Sequence, residues 1–224
     1  VIDVWQPEFE SITDKVIKKL KKQNNFDLVK DFALPVSGAA LVAMTGLRKM
    51  TAFQMDQVSQ AMIDGCANYK GDPSVEANCN SAIQVIERHI DMMSAKLQKT
   101  PDKSVLSVLI QSGQPMYNIH ANVKLVISGG QNEPRDAIAG TAAALLMHPV
   151  AYSHILNKKD WNKAFMEYSR WMSPIGMSPR QMTRDCNILG YDFKKDDRVF
   201  LMYGAANRDP SVFESPGLYS VTLI

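Results

Sequence analysis

Phe9, Ile12, Val16, Ile17 and Leu20 recur at helical spacing with lysines between them, which predicts an amphipathic helix over residues 7 to 23 that Asn24-Asn25 ends. From Phe26 to Val42 the texture changes. Gly38, Ala39, Ala40, Leu41 and Val42 are small and uncharged, and predict a core helix begun near Pro35 and stopped at Gly46. Residues 51 to 66 and 74 to 98 predict two more helices, separated by Lys70-Gly71-Asp72-Pro73. Met55, Met62, Met92 and Met93 on them read as adaptable core packing, with substrate contact the lesser reading. A short helix over 105 to 110 follows, then a long helical segment from about 118 to 148, then helices over 151 to 156 and 161 to 171. In 185 to 203 the runs Asn187-Ile188-Leu189 and Val199-Phe200-Leu201-Met202 are punctuated by Gly190 and Lys194-Lys195-Asp196-Asp197, which predicts short strands and tight turns. Residues 219 to 223 are strand-like. The fold class is mainly α with a small β portion near the C-terminal end.

Composition narrows the function classes. The 224 residues are 46% hydrophobic and 21% charged, ordinary for one large globular domain and unlike a disordered chain. A net charge of +2 gives no reason to expect nucleic acid as a partner, and Lys18, Lys19, Lys21 and Lys22 read as a solvated helix face. Cys66, Cys79 and Cys186 are odd in number and far apart, against a disulfide framework or zinc site, so they read as packing residues of a cytoplasmic protein. No apolar run approaches the ~18 residues of a membrane span and no leader precedes the first helix, so no membrane partner is expected. With Val1 rather than Met first and a strand-like stretch last, the chain reads as a fragment.

Two stretches carry chemistry. The first is Gly129-Gly130-Gln131-Asn132-Glu133-Pro134 within the long helical segment. In a continuous helix Pro134 costs ~3 kcal/mol and each glycine roughly 1 kcal/mol against alanine. On the residues alone punctuation is the better reading: the glycines end one helix, Asn132 caps the next, and Pro134 sits in its first turn. The alternative is a local cost accepted at a functional site. The second stretch is Glu167-Tyr168-Ser169-Arg170, an acid and a base three apart on one helix face. Ser173-Pro174, Arg180 and Ala206-Asn207-Arg208-Asp209-Pro210 follow it in order.

That ordered string resembles the second half of a bacterial cytochrome P-450, a haem-thiolate monooxygenase, strongly over 119 to 217 and more weakly over 1 to 115. The resemblance implies the central part of that fold, with 1–224 a single partial domain truncated at both ends. It implies that Glu167 and Arg170 form a buried pair supporting the haem site, and that Arg180 reaches a haem propionate. Gly129 and Gly130 fall on the family's distal-helix bulge, Asn132 on its acid and Glu133 on its threonine. This departure leaves a carboxylate where a hydroxyl is usual, so Glu133 becomes the candidate proton carrier. The third member of the family's Glu-Arg-Arg cluster is missing, because Pro216-Gly217-Leu218-Tyr219 stands where an arginine is usual; Arg208 is a candidate substitute.

No cysteine here has the context of the family's F-x-x-G-x-x-x-C-x-G loop, so no metal ligand is assigned and the isolated chain is expected to be inactive. The parent is expected to use haem b, dioxygen, a small organic substrate and a ferredoxin-type electron donor. A peroxide-using haem-thiolate enzyme and an inactive helical remnant or interaction module are the alternatives.

Overall fold

The computed structural model describes residues 2–222 and divides into two compact units, Val1–Ala139 and Gly140–Ile224. In the first, a 3-10 turn (Ile2–Val4) precedes α1 (Gln6–Leu20), and a π-helical turn (Leu28–Ala33) runs into α2 (Leu34–Thr45). Then come α3 (Ala52–Cys66), α4 (Pro73–Lys99), α5 (Val105–Gln111), α6 (Met116–Ser128) and the start of α7 (Asn132–Met147). The second unit holds the rest of α7, then α8 (Pro149–Lys158), α9 (Trp161–Met172) and the short α10 (Tyr203–Ala206). Between α9 and α10 lie β1 (Ser178–Gln181), β2 (Cys186–Ile188), β3 (Tyr191–Phe193) and β4 (Arg198–Leu201). Antiparallel pairs β1–β4 and β2–β3 make two small sheets, with Arg180 opposite Val199 and Ile188 opposite Tyr191.

The helices begin where local chemistry satisfies their first amides. Thr51 and Gln54 form a reciprocal capping box at the head of α3, and Asp72 accepts from Ser74 N–H ahead of Pro73 in α4. Gly46 ends α2 in the left-handed region, at φ 86°. The core of this unit comes from α2 to α6, with Leu47, Met55, Ile86, Ile90, Val123 and Ile127 at or near zero exposure.

Several expectations need correcting. The core helix begins well before Pro35: Asp27 caps it by accepting from Val29 and Lys30 N–H, and Leu34 N–H bonds five residues back to Val29 O. The π turn and α2 together make an 18-residue helix, Leu28–Thr45, long and apolar enough in length and composition to cross a membrane, contrary to the expectation of no such run. Lys30 and Asp31 disguise it in the sequence. Within its unit it packs against α1, α3, α5 and α6.

The long helical segment over 118 to 148 is two helices broken at residues 129–131, in agreement with the reading of the two glycines as punctuation. Met92 is 48% exposed, while Met55, Met62 and Met93 are buried as expected. Cys66 ends α3 exposed, so packing does not account for it. Strand β1 was not foreseen, because Ser-Pro-Arg-Gln shows no alternation of apolar and polar side chains. Residues 219–222 form no strand, although Tyr219 and Val221 are buried.

Candidate functional site

At the break in the first unit, Gly129 and Gly130 end α6 and α7 starts at Asn132. Gly130 N–H turns to Ile127 O, three residues back, instead of continuing the α-helical pattern. A Cβ on Gly130 would lie 2.5 Å from Val126 O and 3.0 Å from Leu41 Cδ1, so only glycine fits this approach. Pro134 falls in the first turn of α7, where its missing N–H has no helical acceptor to lose. The ~5 kcal/mol implied by a continuous helix is therefore not incurred.

Asn132 does not cap α7. Its Nδ2 donates to Gln60 Oε1 at 3.3 Å and its Oδ1 has no partner among the described residues. Glu133 Oε2 and the Oε1 of fully buried Gln131 are likewise buried and unpartnered there. Each orphaned acceptor costs roughly 1–3 kcal/mol unless water or a ligand donor reaches it. The break is held from α3. Asp56 Oδ1 accepts from Gln131 Nε2 at 3.1 Å and Arg135 Nη1 at 2.8 Å, and Ser59 Oγ donates to Ile127 O at 3.1 Å. Sequence reasoning missed Asp56, Ser59 and Gln60. Their signal was a polar stripe on a helix whose Met55, Val58, Ala61 and Met62 are buried.

The second unit brings Glu167 and Arg170 together on α9. Arg170 Nε donates to Glu167 Oε2 at 2.7 Å and Nη2 to Glu167 Oε1 at 2.8 Å. Its other N–H groups meet Asn207 O and Pro216 O, each at 2.9 Å, and Leu218 O at 2.7 Å. All five guanidinium donors are thus used. The hydrogen bonds to Glu167 hold the guanidinium proton more tightly than usual, against the opposing effect of burial. Glu167 is 1% exposed and also accepts from Ser220 N–H at 2.7 Å.

The flanking motif residues complete the same network. Ser173 closes α9 in the left-handed region, at φ 47°, a conformation that costs a β-carbon residue about 1–2 kcal/mol. Its hydroxyl offsets this by donating to Arg170 O and accepting from Asn207 Nδ2, at 3.2 and 2.9 Å. Arg208 Nη2 donates to Trp171 O and forms no ion pair with Glu167 among the described residues, so it does not replace the missing arginine. The substitutes are backbone groups: Ser220 N–H on Glu167, and the carbonyls of Pro216, Gly217 and Leu218 on Arg170 and Trp171. His148, Trp171 and Tyr219 pack their rings 5.0–5.6 Å apart, and Tyr219 Oη donates to Ala164 O at 3.2 Å. Burial, and then the charge of Glu167, push the Tyr219 phenol from 10.0 up to about 12.

Arg180 lies exposed on β1, donating only to Ser178 Oγ and Pro179 O and unpaired with any acid among the described residues. Exposed Ile175 and Met177 precede it, and exposed Phe200 and Leu201 stand on the facing strand. By the register Arg180 shares its face with Val199 and Leu201 while Phe200 lies on the other, and an exposed guanidinium beside apolar side chains suits an apolar group that carries a carboxylate.

Two outcomes are expected from this geometry. Arg170→Lys keeps the charge but offers three donors for five acceptors, so it should destabilise the protein by about 3–5 kcal/mol. A denaturant midpoint corresponding to less than ~1 kcal/mol of loss would contradict the network. In an alkaline titration of tyrosinate absorbance, the wild type should show a late ionisation near 12 that Tyr219→Phe lacks. Because the folded value lies above the unfolded one, the unfolded chain loses this proton first, and stability should fall from pH 10 to about 12 in wild type but less in the variant.

Residues 161–222, the span that holds the Arg170 network, match the cytochrome P-450 family. Biotin biosynthesis cytochrome P-450 of Bacillus subtilis is 21% identical over 223 residues, covering 97% of this chain and 56% of that protein. Steroid C26-monooxygenase of Mycolicibacterium smegmatis is 24% identical, covering 94% of this chain and 54% of that protein. The crystal structure of P450BioI with a hexadec-9Z-enoic acid ligated acyl carrier protein has a TM-score of 0.89 at 21% identity, over 98% of this chain and 58% of its own. The polyketide synthase cytochrome PksS of Bacillus subtilis 168 has a TM-score of 0.84 at 23% identity, over 98% of this chain and 57% of its own. The chain spans about half the length of the curated relatives it matches. The structural likeness, over 98% of the chain, shows the cytochrome P-450 fold, and the match to the cytochrome P-450 family falls on residues 161–222, the segment with the saturated arginine.

Proposed function

We propose that the protein carrying this sequence is a haem-thiolate monooxygenase, inserting one oxygen atom of dioxygen into a small organic substrate with electrons from a ferredoxin-type donor. Residues 1–224 are read as part of one cytochrome P-450 domain, and the three free cysteines suit a reducing cytoplasm. The observation that carries this reading is the Arg170 network, in which a buried ion pair pins the backbone of residues 207–220 by four hydrogen bonds. Such an arrangement fixes geometry more than it adds stability, as a scaffold for a cofactor loop requires.

The residues present fit haem b. Arg180, unpaired with an acid and bordered by exposed apolar side chains, would hold a propionate. When bound, the haem supplies activation of dioxygen at its iron, favoured by a thiolate ligand. What the chain itself contributes is position and protons. Gly129 and Gly130 open the α6–α7 break, Asn132 is fixed by Gln60, and Glu133 presents a buried carboxylate oxygen with no partner among the described residues. Of these side chains only Glu133 can give up and regain a proton, so it is the proposed carrier.

The test uses the full-length protein. Its reduced, carbon-monoxide-bound form should show a thiolate-type Soret band, and turnover should require the electron donor; turnover on peroxide alone would overturn the monooxygenase reading. Glu167→Ala should abolish haem incorporation, whereas a variant that bound haem and lost only rate would remove the supporting role. Glu133→Gln keeps shape and hydrogen bonding without the acid. It should lower product formed per electron consumed, with turnover reduced on the order of 10²–10⁴-fold and substrate affinity little changed. Parental coupling in that variant would exclude Glu133 as the carrier.

A further inference from the structure

We infer that Asp56 of α3 is a positioning residue for the α6–α7 break, fixing both ends of the first turn of α7 and, with them, Asn132 and Glu133. The catalytic consequence rests on the proton role proposed for Glu133; the clamp itself does not. One oxygen, Asp56 Oδ1, receives Gln131 Nε2 at 3.1 Å and Arg135 Nη1 at 2.8 Å. Gln131 and Arg135 are four residues apart and joined by the bond from Arg135 N–H to Gln131 O at 3.3 Å. The carboxylate therefore spans one helical turn, with Asn132 and Glu133 between its two attachments. Gln131 is fully buried, and the side chains of Asp56 and Arg135 are only 15% and 17% exposed, so these charge-assisted bonds are little weakened by water.

Two neighbours of Asp56 act on the same segment. Ser59 donates to Ile127 O in the last turn of α6, and Gln60 accepts from Asn132 in the first turn of α7. Positions 56, 59 and 60 share one face of α3, so a single polar stripe grips the chain on both sides of the break. One further bond reaches the break, from Gln131 Nε2 to Ser37 Oγ of α2 at 3.4 Å, and it holds Gln131 alone. Two adjacent glycines leave the backbone conformationally free, and Asn132, the first residue of α7, leaves its own Oδ1 unpartnered among the described residues. The position of Glu133 is thus imposed by a residue 77 places earlier in the chain. An ion pair serving stability alone would make a different prediction: its loss would loosen α3, α4 and the break alike.

The experiment compares amide hydrogen exchange and product per electron in the full-length parent, Asp56→Ala, Asp56→Asn and Val58→Ala. Val58 is buried on the same helix and serves as a control for general destabilisation. Asp56→Ala should speed exchange over residues 127–136 about tenfold or more while α4 exchanges at the parental rate. Asp56→Asn, which keeps an acceptor oxygen, should return exchange to within about threefold of the parent, and Val58→Ala should not single out the break. Parental exchange at the break in Asp56→Ala, or an equal rise across α3, α4 and the break, overturns the clamp. Product per electron should fall in Asp56→Ala and recover in Asp56→Asn. If the break loosens and neither Asp56→Ala nor Glu133→Gln changes coupling, the clamp stands and the Glu133 role fails. A fall in Glu133→Gln with none in Asp56→Ala overturns the positioning role.

Discussion

A buried guanidinium is a demanding constraint: five planar donors, no acceptor, and a charge that no change of protonation removes near neutral pH. Arg170 meets it with two carboxylate oxygens three residues away and three backbone carbonyls between 37 and 48 residues downstream. Much of the local structure of the second unit follows from delivering those carbonyls. Ser173 takes a left-handed conformation so that the chain leaves α9 with its hydroxyl facing Asn207, and Asn207 presents its side chain to Ser173 and its carbonyl to Arg170. Pro216, Gly217 and Leu218 offer consecutive carbonyls to Arg170, Trp171 and again Arg170. The motif residues therefore share one physical purpose, which spacing along the sequence does not state.

This explains what the sequence could and could not report. Side-chain periodicity marked α1, α3, α4 and α9, because each buries one face and exposes another. It also marked Glu167 and Arg170, because an acid and a base one turn apart face the same way. It could not identify the partners of Arg170, since carbonyl oxygens are common to every residue. For the same reason residues 219–222 looked like a strand: Tyr219 and Val221 alternate with polar neighbours, yet the segment is held by Ser220 N–H and Tyr219 Oη instead of by a ladder. Asp56 was illegible for a different reason. A lone aspartate on an amphipathic helix looks solvated until Gln131 and Arg135 are found against it.

The Gly129-to-Pro134 stretch shows how a local cost can be displaced. A continuous helix would bear it in the backbone, by a lost bond and a proline clash. The chain instead ends one helix and starts another, and both backbone terms largely vanish. The cost reappears in side chains, where Gln131 Oε1, Asn132 Oδ1 and Glu133 Oε2 are buried without partners among the described residues. Three consecutive residues with orphaned acceptors are not a recipe for stability, because each desolvated oxygen forgoes the hydrogen bonds that water gave it in the unfolded chain.

The two polar clusters therefore answer to opposite requirements. Around Arg170 every guanidinium donor is matched, and a fully matched buried network has few alternative arrangements, so it holds a backbone loop in one place. At the α6–α7 break the network is matched from α3, through Asp56, Ser59 and Gln60, and from α2, through Ser37, and leaves acceptors unfilled at Asn132 and Glu133. An unfilled acceptor gains a hydrogen bond whenever water or a protonated group comes within reach, whereas a filled one must first break a bond it already has. A scaffold benefits from filled acceptors and a proton-handling site from unfilled ones. On the proposed haem-enzyme reading, that division of labour leaves the chain rigid where it would hold a group and receptive where it would exchange protons.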